Sequence, residues 1–206
     1  MLLLPSLDNT IENLLARIDQ IPEARKTLLQ RLVAFIDARG ANPEPVQLVF
    51  ICTHNSRRSL IAQIWAAAAA ARFGLENLAC YSGGTEATAF NPRAVAAMKR
   101  AGFDIVNPGG DNPAYRVRFA EHAPPLTCFS KTYGASSNPT TGFAAIMTCS
   151  EADENCPYIP GAAFRLSLPY EDPKIADDTS FEAERYDERV RQIGQELLYV
   201  MQKAAH

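Results

Sequence analysis

At 206 residues the chain has room for one α/β domain with an appendage, and with 47% apolar residues it can bury a sizeable core. A formal net charge of −3 argues against a general nucleic-acid binder, which carries a basic surface, but leaves room for a small anion in one local positive pocket. No run of about 18 apolar residues offers a membrane-spanning helix, and Pro5 cuts short the apolar start, too early for a signal peptide. The expected location is the cytoplasm, with neither nucleic acid nor membrane as partner. Five cysteines, an odd number, fit reduced thiols with chemistry to perform better than a secreted disulfide scaffold.

In chain order, residues 6–20 read as a helix with Ile11, Leu14, Leu15 and Ile18 on one face and Asp8 at its start. A second helix is expected over residues 22–39, with Pro22 at its first position and Gly40 after its end. Residues 42–45, with two prolines, read as a linker. Residues 1–44 thus form a helical hairpin that packs on the main domain or on a second subunit, which leaves room for a homodimer. The main domain opens with a β-branched apolar run at 46–51 that ends at Cys52. A helix over about 58–73 follows, carrying Trp65 and an alanine run at 66–71. Residues 78–82 read as a strand holding Cys80, and 92–101 as a helix ended by Gly102. Two strand-like runs, 115–120 and 126–131, flank Pro124 and Pro125 and suggest a hairpin; Cys128 lies in it as a packing residue. Residues 143–148 and 164–168 read as strands. The last helix is expected to open on a capping box of Thr179 and Glu182. Strands alternating with helices imply a parallel sheet with helices on both faces.

The chemistry concentrates where the first strand ends: Cys52, Thr53, His54, Asn55, Ser56, Arg57, Arg58, Ser59. A buried strand delivers a cysteine to its C-terminal end, and an arginine six residues later opens a helix. Ligands of α/β sheets bind at that edge. A loop curled there aims successive N–H groups inward as an anion nest, and the helix N-terminus adds donors and positive potential. Arg58 supplies a planar fork for two oxygens of a tetrahedral anion. The same field favours the thiolate of Cys52, and Ser59 can donate a hydrogen bond to it. Asn55 is expected to brace the loop through its own backbone. His54 either touches the ligand or faces solvent; Arg57 either adds charge near the mouth or is solvated.

Two further elements follow. Cys149 and Cys156 flank a polar, acidic stretch after a buried strand. In an α-helix they stand about two turns, or roughly 10 Å, apart, too far to join. Looped out, they can form a disulfide. The pair reads as a switch, with two unrelated cysteines as the alternative. Asp172 precedes Pro173, which holds it in an extended or turn conformation suited to protonating a leaving oxygen.

These elements, in this order, resemble the low-molecular-weight protein tyrosine phosphatase superfamily over about residues 46–206, and within it the thioredoxin-coupled arsenate reductases. Supporting matches are Tyr81 to Glu86, Asn91 with Pro92, and Ala97 to Lys99. The resemblance implies a three-layer domain with a four-stranded parallel sheet over residues 45–206, an insert at about 112–142, and the hairpin as an N-terminal addition. It implies that Cys52 attacks arsenate held by the 52–58 loop and Arg58, that Asp172 is the acid, and that Cys149 and then Cys156 carry the disulfide outward to thioredoxin or a similar thiol reductant. It calls for no cofactor and no metal; Gln63 stands where some relatives use a glutamate to help bind potassium. The competing enzyme reading is a phosphatase acting on phosphotyrosine or a small phosphoester through a phosphocysteine at Cys52. A non-enzymatic anion or redox sensor is the third reading. Residues 174–177 lack the tyrosines with which such phosphatases grip phosphotyrosine.

Overall fold

The computed structural model describes residues 2–40 and 43–205. The N-terminal hairpin comprises α1 (Pro5–Leu15), a 3-10 turn at Ile18–Gln20, and α2 (Glu23–Gly40). The main domain runs β1 (Val46–Cys52), α3 (Arg58–Arg72), β2 (Leu78–Gly84), α4 (Pro92–Arg100), β3 (Asp104–Val106), β4 (Tyr115–Arg118), β5 (Leu126–Cys128), β6 (Ala144–Met147), α5 (Ser150–Asn155), β7 (Phe164–Ser167), a 3-10 turn at Pro173–Ala176, and α6 (Glu182–Ala204).

The main sheet has the order β2-β1-β6-β7, all parallel, with β1 and β6 inside. Side chains alternate across its pleat. Val46, Leu48 and Phe50 join Ala144, Ile146 and Leu166 under the larger core, which also holds buried residues of α1, α2, α3, α4 and α6. Val49 and Ile51 point the other way, into a smaller core with Ala145, Met147, Cys149 and Ala152 of α5. Helices therefore cover both faces. Trp65 is fully buried and meets Phe103 edge-on, while Gly194 of α6 is tight against its ring, where an added Cβ would come within 2.6 Å.

The hairpin packs against α6 of its own chain. Leu3 bridges Ala120, and the Leu4 N–H donates to the Phe119 carbonyl, so the N-terminal addition and the insert hold each other. The insert does form the expected antiparallel pair, β4 with β5, and recruits β3 as a third strand.

Three local expectations are corrected. The first helix stops at Leu15, because the chain must turn to bring Ile21 inward ahead of Pro22. Asp8 is not its cap: Pro5 opens the helix, so Asp8 sits inside the first turn. No capping box forms on α6 either. Asp178 adopts φ 62° and closes a turn in which the Thr179 hydroxyl donates to the Ala176 carbonyl and Glu182 accepts from the Asp178 N–H. The helix begins only at Glu182. The expected linker starts at Asn42, outside the described residues.

Candidate active site

Cys52 is the last residue of β1, 3% exposed, paired across to Gly84 of β2. The loop from there to Arg58 is fixed from outside through its carbonyls. Those of Cys52 and Thr53 accept from the Thr85 and Glu86 N–H groups at 3.2 and 2.8 Å, and those of His54 and Ser56 accept from the Ser130 hydroxyl and the Asn91 N–H, each at 2.9 Å. With the carbonyls turned outward, the N–H groups of residues 53–58 meet no acceptor among the described residues. They are the donors that an anion nest requires. Gly84 permits this closeness: a Cβ there would lie 2.6 Å from the Thr53 carbonyl oxygen and 2.7 Å from the Asn55 nitrogen.

Asn55 does not bond its own backbone, as the sequence suggested. It adopts φ 45°, and its side chain links one near and one distant partner. Its Nδ2 donates to the Ser59 hydroxyl oxygen at 2.8 Å, and its Oδ1 accepts from the Lys131 N–H at 2.9 Å. Because Ser59 accepts from Asn55, its own proton is left for the Cys52 sulfur, 3.0 Å away. The Asn91 side chain caps α4 by accepting from the Arg93 and Ala94 N–H groups.

Arg58 and Asp172 meet directly. Arg58 Nη2 donates to Asp172 Oδ2 at 2.7 Å, and Nη1 donates to the Tyr170 carbonyl at 3.1 Å. Arg58 Nε is buried and has no partner among the described residues. Asp172 Oδ1 caps the 3-10 turn by accepting from the Lys174 N–H. Arg57 is not a solvated side chain. Its Nε donates to the Tyr186 hydroxyl at 3.0 Å and lies 3.9 Å from Asp172 Oδ1, while Nη2 is 3.8 Å from Asp177. Burial and then the bond to Asp177 push the Tyr186 phenol up to about 12.

The remaining loop side chains turn away from the nest, so the loop presents mostly backbone to a ligand. His54 is half-exposed and 3.7 Å from Glu86. The Ser56 hydroxyl donates to the Ala89 carbonyl at 2.6 Å. Thr53 faces the second thiol: its Oγ1 donates to Glu151 Oε2 at 2.9 Å and lies 3.5 Å from Cys149 Sγ.

Cys149 is fully buried at the N-cap of α5, where its sulfur accepts from the Ala152 N–H at 3.4 Å. Cys156 is half-buried at the other end of the helix. Both are free thiols and stand against the same small core as Cys52. The helix between them is pinned by Asp153, which pairs with Arg165 at 2.5 Å and accepts from the Ser167 hydroxyl at 2.6 Å. Cys80 and Cys128 belong to the larger core, across the sheet. Burial raises both thiols, Cys128 up to about 12.

Several supports carry no sequence signal. Ser130, Lys131 and Asn112, whose side chain donates to the Ser130 carbonyl and accepts from the Ser130 N–H, belong to the insert, and nothing in their spacing marks them. Gln63 is occupied by the Ser82 hydroxyl and the Cys80 carbonyl. Among the described residues no cluster of three His, Cys, Asp or Glu side chains stands ready for a metal.

The family model of the low molecular weight phosphotyrosine protein phosphatases matches residues 47–108. An arsenate reductase of Bacillus subtilis is 30% identical over 152 residues, 73% of this chain and 91% of that protein. Arsenate reductase 2 of Staphylococcus epidermidis is 30% identical over 126 residues, 61% of this chain and 77% of the other. A low molecular weight phosphotyrosine phosphatase of Vibrio cholerae O395 shares the fold at a TM-score of 0.50 and 14% identity, covering 75% of this chain and 93% of that one. The chain belongs to the low molecular weight phosphotyrosine protein phosphatase family, together with the arsenate reductases that it matches.

Proposed function

We propose that this protein is an arsenate reductase that uses Cys52, Cys149 and Cys156 in turn. One observation carries the reading: these three cysteines stand against one small core beside the anion loop, and the other two lie across the sheet. Hydrolysis of a phosphoester needs Cys52, Arg58 and Asp172 alone. Reduction of arsenate also needs two electrons, and a second and third thiol beside the first can supply and pass them on.

Arsenate enters the loop, takes the free N–H groups and draws Arg58 off Asp172. Asp172, released from Arg58, takes up a proton as the Cys52 thiol gives one up; the thiolate attacks arsenic, an S–As bond forms, and a hydroxide departs as water with the proton that Asp172 returns. Cys149 then attacks the Cys52 sulfur. An S–S bond forms, and the S–As pair passes to arsenic, which leaves as arsenite reduced by two electrons. Cys156 attacks Cys149 and releases the Cys52 thiolate. The last step requires α5 to unwind, since its two end cysteines stand too far apart for a disulfide, which spans roughly 4.4–6.8 Å between Cα atoms. A six-residue helix is marginal by itself and suited to such a change. A dithiol carrier such as thioredoxin then reduces the Cys149–Cys156 disulfide, as fits a cytoplasmic enzyme.

The test is arsenite release from arsenate with thioredoxin recycling, run beside hydrolysis of p-nitrophenyl phosphate. Catalytic arsenite release that disappears in Cys52→Ser supports the reading. Phosphoester hydrolysis without arsenite release would replace it with the phosphatase.

A further inference from the structure

The first turn of α2 reaches the loop that carries Tyr170 and Asp172, here the acid loop, through a buried polar chain. Arg25 Nε donates to both oxygens of Glu196 in α6, at 3.0 and 2.9 Å. The two side chains are 15% and 4% exposed, so the pair is largely withdrawn from water. Glu196 accepts in turn from the Tyr170 hydroxyl at 2.9 Å, and the Arg25 guanidinium lies 4.7 Å from the centre of the Tyr170 ring. Gln192 adds a bond to Glu196 at 3.2 Å. Burial, and then the Glu196 carboxylate, push the Tyr170 phenol well up, so it stays a donor.

Tyr170 is the junction of the site. Its carbonyl accepts from Arg58, and its N–H donates to the Thr148 carbonyl, next to Cys149. Two residues on is Asp172. A tyrosine held at its ring, hydroxyl, N–H and carbonyl has one position, and the residues on either side inherit it. The far end of that hold lies in the N-terminal hairpin, outside the residues 47–108 that the family model matches.

We propose that Arg25 is a positioning residue for the acid loop: through Glu196 and Tyr170 the hairpin sets where Asp172 and Arg58 stand. This rests on the reading of Cys52, Arg58 and Asp172 as the reaction site. It makes the hairpin part of the enzyme's working geometry and not only a packing addition. Removing Arg25 alone strands Glu196 as a buried, unpaired charge. The pair is therefore neutralised together, in Arg25→Met/Glu196→Gln, with Tyr170→Phe as a second and milder cut.

The test is a double-mutant cycle with Asp172→Asn, joined to amide hydrogen exchange. Arg25→Met/Glu196→Gln should lower kcat for arsenate by roughly ten- to a hundredfold, the scale of a small misplacement. It should lower kcat little further when Asp172 is already Asn, because both act on the same step. Exchange at the Tyr170 amide should quicken by about tenfold or more while that of β1 stays as it was. Tyr170→Phe should shift both readouts the same way and by less. A full multiplicative loss on top of Asp172→Asn, an unchanged kcat, or unchanged exchange at Tyr170 each overturns the proposal. If the parent enzyme processes neither arsenate nor p-nitrophenyl phosphate, the functional reading fails, and the exchange measurement alone still decides whether Arg25 positions the loop.

Discussion

Asp172 Oδ2 lies 2.7 Å from Arg58 Nη2, so the acid and the arginine occupy each other. An oxyanion entering the loop competes with Asp172 for the same guanidinium. In the proposed reaction that exchange sets an order: the anion takes the arginine, and the carboxyl is freed to face the leaving oxygen.

Asp172→Asn removes that competitor. Phosphate should bind about fivefold tighter, the worth of a partly exposed ion pair near 1 kcal/mol. Arsenate turnover should fall by roughly 10²–10⁴-fold through loss of the acid. Calorimetric titration with phosphate, beside steady-state rates, checks both. Weaker phosphate binding would show that Asp172 builds the anion site instead of competing for it.

Ser59 accepts from Asn55 and lies 3.0 Å from the Cys52 sulfur, placed to donate its proton there. Ser59→Ala should slow alkylation of Cys52 at pH 7 by about tenfold, the effect of one lost hydrogen bond to the reacting sulfur. Asn55→Ala should act on the same reaction and also loosen the link to Lys131. Alkylation rates from mass spectrometry of the Cys52 peptide decide this. A rate equal to the parent in Ser59→Ala contradicts the assigned direction of the bond.

Gly84 lets β2 pass against the loop, where an added Cβ would come within 2.4 Å of the Glu86 carbonyl oxygen. Gly84→Ala should cost about 3 kcal/mol, the high end for overpacking. It should also abolish phosphate protection of Cys52 against alkylation. Urea unfolding and the protection assay measure the two effects.

Cys128 ionises in the fold only near pH 12, against roughly 8.5 for a free thiol. At pH 8 iodoacetamide should therefore modify half-buried Cys156 and leave Cys80 and Cys128 untouched until the protein unfolds. Below about pH 8.5 both folded and unfolded Cys128 are protonated, and its contribution to stability does not change. Above it the unfolded thiol loses its proton while the folded one keeps it, so stability falls as pH rises. Urea midpoints at pH 7 and pH 10 should show that fall, and Cys128→Ala should lessen it. An equal fall in the two proteins assigns the pH dependence to other groups.

The strand-to-helix loop at 52–58 was legible because its signal is local. An apolar β-branched run ends at Cys52, and Arg58 opens a helix, all within fourteen residues of chain (46–59). The alternation of strand and helix carried the parallel sheet in the same way. Contacts between remote segments were not legible. Asn55 meets Lys131 across 76 positions and Arg25 meets Glu196 across 171, and no pattern along the chain marks either pair. β3 is three residues long, too short for alternation to show. The expected cap on α6 failed because Thr179 and Glu182 have the right spacing but serve a turn at Asp178 that precedes the helix.

In the proposed relay the electrons for arsenic come from Cys52 and Cys149, and Cys156 draws the disulfide away. Cys156→Ser isolates that step, because Cys149 can still attack Cys52 and nothing can resolve the product. After one exposure to arsenate, non-reducing peptide mass spectrometry of this variant should show a Cys52–Cys149 disulfide with about one arsenite released per chain, and no further turnover with thioredoxin. Cys149→Ser should show no such disulfide. Arsenate turnover at the parent's rate in both serine variants would contradict the relay.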